Sequence, residues 1–273
     1  MRFVLVPGTI LLVLAVSAGG AWWILTPEAE PADAPMAALP VPPLPPRIIV
    51  DATYDSCLDL LPEDPAAALA LVRTWQSGGL AAAHCQALAL MAQGEVTEGA
   101  AILERLADAP TLAPHAKAVL LDQASEAWLR AGAHEQAYRV TSRAVGVMGD
   151  DPDMLLRHAR VASLVGRDGD ALVDLTRALQ LSPDRVDALL TRAVVWRRLD
   201  RPDQARGDID RAAGIAPSDA EVLLERGIQR QQSGDLAGAR ADWRRVVDID
   251  PDSHAADLAE QNLALLDAGP LRR

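Results

Sequence analysis

Two consecutive stretches decide the fold: PDRVDALLTRAVVWRRLDRPDQARGDIDRAAGIA (183–216) and PSDAEVLLERGIQRQQSGDLAGARADWRRVVDID (217–250). Set one beneath the other, they place Leu189 over Leu223, Ala205 over Ala239 and Ala212 over Val246, and Pro183, Pro217 and Pro251 each stand 34 residues from the next. The same step carried backwards adds Leu121 and Leu155, Ala137 and Ala171, and Ala144 and Ala178 to those columns. A further column holds Gly132, Gly166, Asp200 and Gly234. A period of this length is one helix pair repeated.

Each column has a physical reading. Small residues recur where the two helices of a hairpin approach closely, and larger apolar ones fill the space between hairpins. Glycine ends the first helix because it enters the left-handed backbone region at little steric cost. Proline ends the second by removing an amide donor and restricting the residue before it. In these residues the chain resembles the tetratricopeptide repeat (TPR), over four units read as 118–151, 152–185, 186–219 and 220–253. The last unit carries the family pattern as Leu223, Gly227, Gly234, Ala239, Val246 and Pro251, whereas Gly149 stands for the proline in the first unit and Asp200 for the glycine in the third. The resemblance implies an all-α, right-handed superhelical solenoid of helix-turn-helix hairpins with a C-terminal capping helix. It also implies an interaction scaffold, without specifying the partner.

The 273 residues are half hydrophobic and only 3% aromatic, so alanine supplies much of the core. A formal charge of −12 argues against nucleic acid as a partner. Residues 3–25 carry no charge and would span roughly 35 Å as a helix at about 1.5 Å per residue, enough for a bilayer core. One reading is a cleaved secretory signal with a small-residue site at Gly19-x-Ala21. The other is an uncleaved anchor over 1–26, with Trp22 and Trp23 at the interface; the apolar run past the cleavage site favours it. The anchored reading puts the C-terminal domain on the periplasmic side of an inner membrane, and the cleaved one makes it soluble periplasmic or secreted. Residues 27–48 form a proline-rich linker, with eight prolines between 27 and 46, suited to an extended spacer.

Residues 49–117 read as divergent hairpins with Gly78, Gly79 and Gly94 as stops. Residues 254–273 read as the capping helix and tail that an array needs to cover its last apolar face. The two cysteines, Cys57 and Cys85, fall on first helices of adjacent units, one turn apart on the concave face. In an exported chain such a pair suggests a disulfide; an envelope redox or cofactor-maturation factor cycling them is the alternative. The five histidines show no metal-ligand spacing, no cofactor is implied, and the common catalytic signatures are missing.

The resemblance places a partner groove on the first helix of each unit. Carried across, its apolar floor is Leu156, Leu190, Val194, Leu224 and Ile228, flanked by Arg157, Arg160 and Arg197. Such a surface would take a peptide or helix with apolar anchors and an acidic group, since arginine can hold a carboxylate through two hydrogen bonds. The lysines and asparagines of the family's carboxylate clamp are absent. The expected function is a non-catalytic protein–protein interaction scaffold or assembly factor.

Overall fold

A computed structural model of the chain describes residue 48 and residues 51–268. The apolar segment 3–25 and nearly all of the proline-rich linker lie outside these residues. Among the described residues, no helix is long and apolar enough to cross a membrane, and all regular structure is helical.

Among the described residues, thirteen helices form six consecutive hairpins and a final single helix. The first two hairpins are α1 (Ala52–Leu60) with α2 (Pro65–Thr74) and α3 (Gly79–Ala92) with α4 (Val96–Leu106). Four more follow: α5 (Pro114–Arg130) with α6 (His134–Val147), α7 (Pro152–Leu164) with α8 (Asp168–Leu181), α9 (Val186–Arg198) with α10 (Pro202–Ile215), and α11 (Ala220–Gln232) with α12 (Leu236–Ile249). The last helix, α13 (His254–Ala268), packs on α11 and α12. Every helix packs on its neighbour in sequence, and α7, α9, α11 and α13 also touch in succession, which makes the array an all-α solenoid.

Local chemistry sets the helix boundaries. Asp151 accepts the amide protons of Asp153 and Met154 at the start of α7, where Pro152 needs no hydrogen-bond acceptor. Asp219 does the same for Val222 in α11, and Asp235 for Gly238 in α12. The first helix of each regular hairpin ends in one repeated turn. Gly132, Gly166 and Gly234 take φ of 69°, 77° and 87°, and the next amide donates back to the helix, as Arg167 N–H does to the Ala162 carbonyl at 2.8 Å. Asp200 adopts the same turn at φ 57°, with Arg201 N–H on the Trp196 carbonyl at 2.9 Å. The array therefore imposes the left-handed turn even where the sequence lacks glycine.

The repeat columns are the core. Ala137, Ala171, Ala205 and Ala239 are buried, as are Ala144, Ala178, Ala212 and Val246 and the leucines at 121, 155, 189 and 223. Trp243, the largest buried side chain, occupies the space that Gly227 leaves open and donates its indole N–H to the Leu224 carbonyl at 3.3 Å.

Candidate functional site

The first helices line the face on which the sequence places a groove, and the structure divides the predicted residues there. Arg160, Leu190, Val194 and Leu224 line one cavity of ≈ 370 Å³ bounded by α7, α9, α11 and α13. Leu190 and Leu224 are 6% and 7% exposed, so they form a floor rather than projecting anchors. Leu156 is buried in the core at 3%, and Ile228 packs partly buried beside α13; neither lines this cavity. The cap helix contributes Leu258, Ala255 and His254. Sequence reading assigned α13 only to capping, although Ala255 and Leu258 continue the groove columns of Glu221 and Leu224 by the same 34-residue step.

The arginines are also sorted. Arg157 is held by Asp122 at 3.1 Å and Arg197 by Glu225 at 2.6 Å. Arg198 is held by Asp168 and by Ser163. Only Arg160 of the three predicted guanidinia forms no hydrogen bond or ion pair among the described residues, and it is exposed. Carboxylates of the repeat itself thus take up two of the three arginines expected to flank the groove, Arg157 and Arg197.

A second cavity, of ≈ 270 Å³, lies between α5 and α7. Its carboxylates are Asp122, Glu126, Asp151 and Asp153, and Arg157 is the one guanidinium in its wall. Burial outweighs the attraction of Arg157, and the acids around it add repulsion, so the Asp122 carboxyl is pushed up to about 6. On α7, Asp153, Arg157 and Arg160 follow one another at four- and three-residue spacing, which puts them on one helix face. The two cavities thus share α7, with Arg157 in one and Arg160 in the other.

A further set of groups emerges only from the structure. In three successive hairpins a basic side chain of the first helix meets a buried aspartate of the second: His158 with Asp174 at 2.5 Å, Arg192 with Asp208 at 2.7 Å, and Arg226 with Asp242 at 2.6 Å. The three aspartates are 8%, 6% and 4% exposed. The signal was present in the sequence, since 158, 192 and 226 and also 174, 208 and 242 are 34 apart. Within the first pair, Ser142 Oγ lies 2.9 Å from His158 Nε2, which completes the distances of a serine nucleophile relay. Its hydroxyl proton, however, is already donated to the Tyr138 carbonyl at 2.8 Å. With that proton so committed, the hydroxyl has none to hand to the ring. Ser142 also sits inside α6, where backbone amides are committed to the helix and none is free to hold an oxyanion. We read the cluster as a hairpin tie.

Cys57 and Cys85 face each other between α1 and α3 at disulfide distance, with Cα atoms 6.2 Å apart. Both are 0% exposed, inside the core and not on the concave face where the sequence register put them. His84, next in sequence, is equally buried between the Tyr54 hydroxyl and Gln123, at 2.7 Å from the latter; desolvation pulls its pKa down to about 4. Among the described residues no three His, Cys, Asp or Glu side chains gather as metal ligands.

No family model matches the chain, and no curated protein matches it in sequence. Solved structures do match in shape. PilF of Pseudomonas aeruginosa superposes with a TM-score of 0.56 at 14% identity, over 78% of this chain and 96% of that one. YrrB, described as a TPR protein with an unusual peptide-binding site, gives 0.52 at 16% identity over 72% and 98%. MamA gives 0.51 at 13% identity over 66% and 97%. With the repeat columns, the left-handed turns and the hairpin order, these likenesses establish that the chain has the tetratricopeptide-repeat fold.

Proposed function

We propose that this chain is a non-catalytic interaction scaffold that takes a partner peptide along the first-helix face. The observation that carries the reading is the ≈ 370 Å³ cavity whose floor is Leu190, Val194, Leu224 and Leu258. An apolar floor with a few polar groups at its rim suits an anchoring side chain. A structural neighbour described as having a peptide-binding site supports it by analogy of fold. The amino-terminal apolar segment and proline-rich spacer support placement on the far side of a membrane, either tethered or released. Cys57 and Cys85 fit a structural staple better than a cycling redox pair, because exchange with a partner needs an accessible sulfur and both are buried.

The test is selection of a phage-displayed random dodecapeptide library on the chain. Thr191 lines the cavity mouth and is only partly buried, so Thr191→Arg obstructs it without entering the core. Enriched peptides that bind the parent and lose at least tenfold in affinity to this variant, at unchanged helicity, support the reading. No enrichment, or peptides indifferent to the variant, overturns it.

A further inference from the structure

The two cavities differ in character, and that difference specifies a partner. The chamber bounded by α7, α9, α11 and α13 has an apolar floor, and two of its three carboxylates are already paired: Asp187 with Arg185 at 2.8 Å and Glu225 with Arg197 at 2.6 Å. The chamber between α5 and α7 has four carboxylates, for which two guanidinia are available. Arg157 serves Asp122 at 3.1 Å and reaches Glu126 only at 4.0 Å, while Arg185 holds Asp153 at 2.5 Å but is shared with Asp187. Apolar residues, among them Val119, Met148 and Met154, complete its wall. Of the groups lining the apolar chamber, Arg160 is free to donate to a backbone carbonyl of a chain passing from one chamber to the other.

We infer that the groove selects a peptide carrying a basic side chain for the α5–α7 chamber and a bulky aliphatic side chain for the α7–α13 chamber. Packed helices stand about 8–10 Å apart, so chambers two helix steps apart are separated by roughly 16–20 Å. That is about five or six residues of extended chain at ~3.3 Å each. A lysine or arginine entering the first chamber would meet Glu126, which Arg157 reaches only at 4.0 Å, add a second cation beside the Asp122–Arg157 pair, and lie on the stems of the two methionines. The −12 charge of the whole chain draws the same class of partner. This inference rests on the groove reading above and adds the partner's polarity to it.

The experiment sequences the peptides that the random dodecapeptide library yields on the parent chain and on the Asp122→Asn/Glu126→Gln variant. The expected result is an excess of Lys or Arg five or six residues from Leu, Ile or Met on the parent. On the variant the basic excess disappears and the aliphatic preference persists. Replacing the selected basic residue by Glu in one synthetic peptide should weaken binding to the parent at least tenfold and leave binding to the variant within about threefold. Peptides that need the cavity, by the Thr191→Arg criterion, but are neutral or acidic overturn the inference while the groove reading stands. Peptides indifferent to Thr191→Arg, or no peptides at all, overturn both.

Discussion

Arg192→Ala should be among the most damaging single changes on the half-buried surface of this protein. Asp208 is 6% exposed, and both its oxygens are taken by Arg192, Nη2 at 2.7 Å and Nε at 2.8 Å. No other donor to Asp208 is present among the described residues, so removing the guanidinium leaves a buried carboxylate alone. Breaking a buried pair from one side costs roughly 3–5 kcal/mol. The next hairpin provides an internal control. Asp242 is also bonded by Arg230 at 2.8 Å, so Arg226→Ala should cost only about 1–3 kcal/mol. Replacing both partners, as Arg192→Met with Asp208→Leu, removes the orphan and should return stability to within about 1 kcal/mol of the parent or above it. Urea denaturation followed by circular dichroism measures all three, with hydrogen exchange of α9 and α10 locating the loss, because a repeat array can open locally. The reasoning is refuted if Arg192→Ala costs less than Arg226→Ala, or if the double replacement is as unstable as the single one.

Further consequences follow from other parts of the array. Asp200→Gly should stabilise the chain by about 0.5–1 kcal/mol, and Gly166→Ala should cost about 1–2 kcal/mol, because both residues sit at positive φ and a Cβ at Gly166 meets nothing; thermal melting reads both. Gly227→Ala should cost about 1–3 kcal/mol by driving a methyl group into the buried Trp243 ring, and Trp243→Leu in the same chain should recover part of it. The Asp122 carboxyl has a folded pKa of about 6, raised above its unfolded value of 3.8. The folded state thus binds the extra proton, and this group's contribution to stability rises as pH falls from 6 to 4 and is lost as pH climbs back through 6. Asp122→Asn should therefore stabilise at pH 7 and change little below pH 4; equal effects at both pH values would contradict the cause given. Reduction of Cys57 and Cys85, which close a 28-residue separation, should cost roughly 3 kcal/mol and raise exchange in α1 to α3 selectively.

The fold was legible because its signals are periodic. Leu189 and Leu223, or Ala205 and Ala239, announce a helix pair when read 34 residues apart. The site was less legible, for three physical reasons. Groove positions carried over from a family pattern do not say whether a neighbouring carboxylate already holds an arginine, and Asp122 and Glu225 lie 35 and 28 residues from Arg157 and Arg197. Leu156 differs from Leu190 only in what packs over it. The role of α13 depended on where the array ends, which no single unit encodes. The aspartate ties were readable as a column but were hidden by a change of partner, with His158 standing where later units have arginine.

The central claim is that the concave first-helix face, and not the outer face, receives the partner. Its most direct test is calorimetric titration of one selected peptide against three forms of the chain: the parent, Thr191→Arg in the cavity, and Val173→Arg on α8, where the side chain is 69% exposed. The account predicts at least tenfold weaker binding to Thr191→Arg and binding within twofold of the parent for Val173→Arg. The opposite ranking would contradict it.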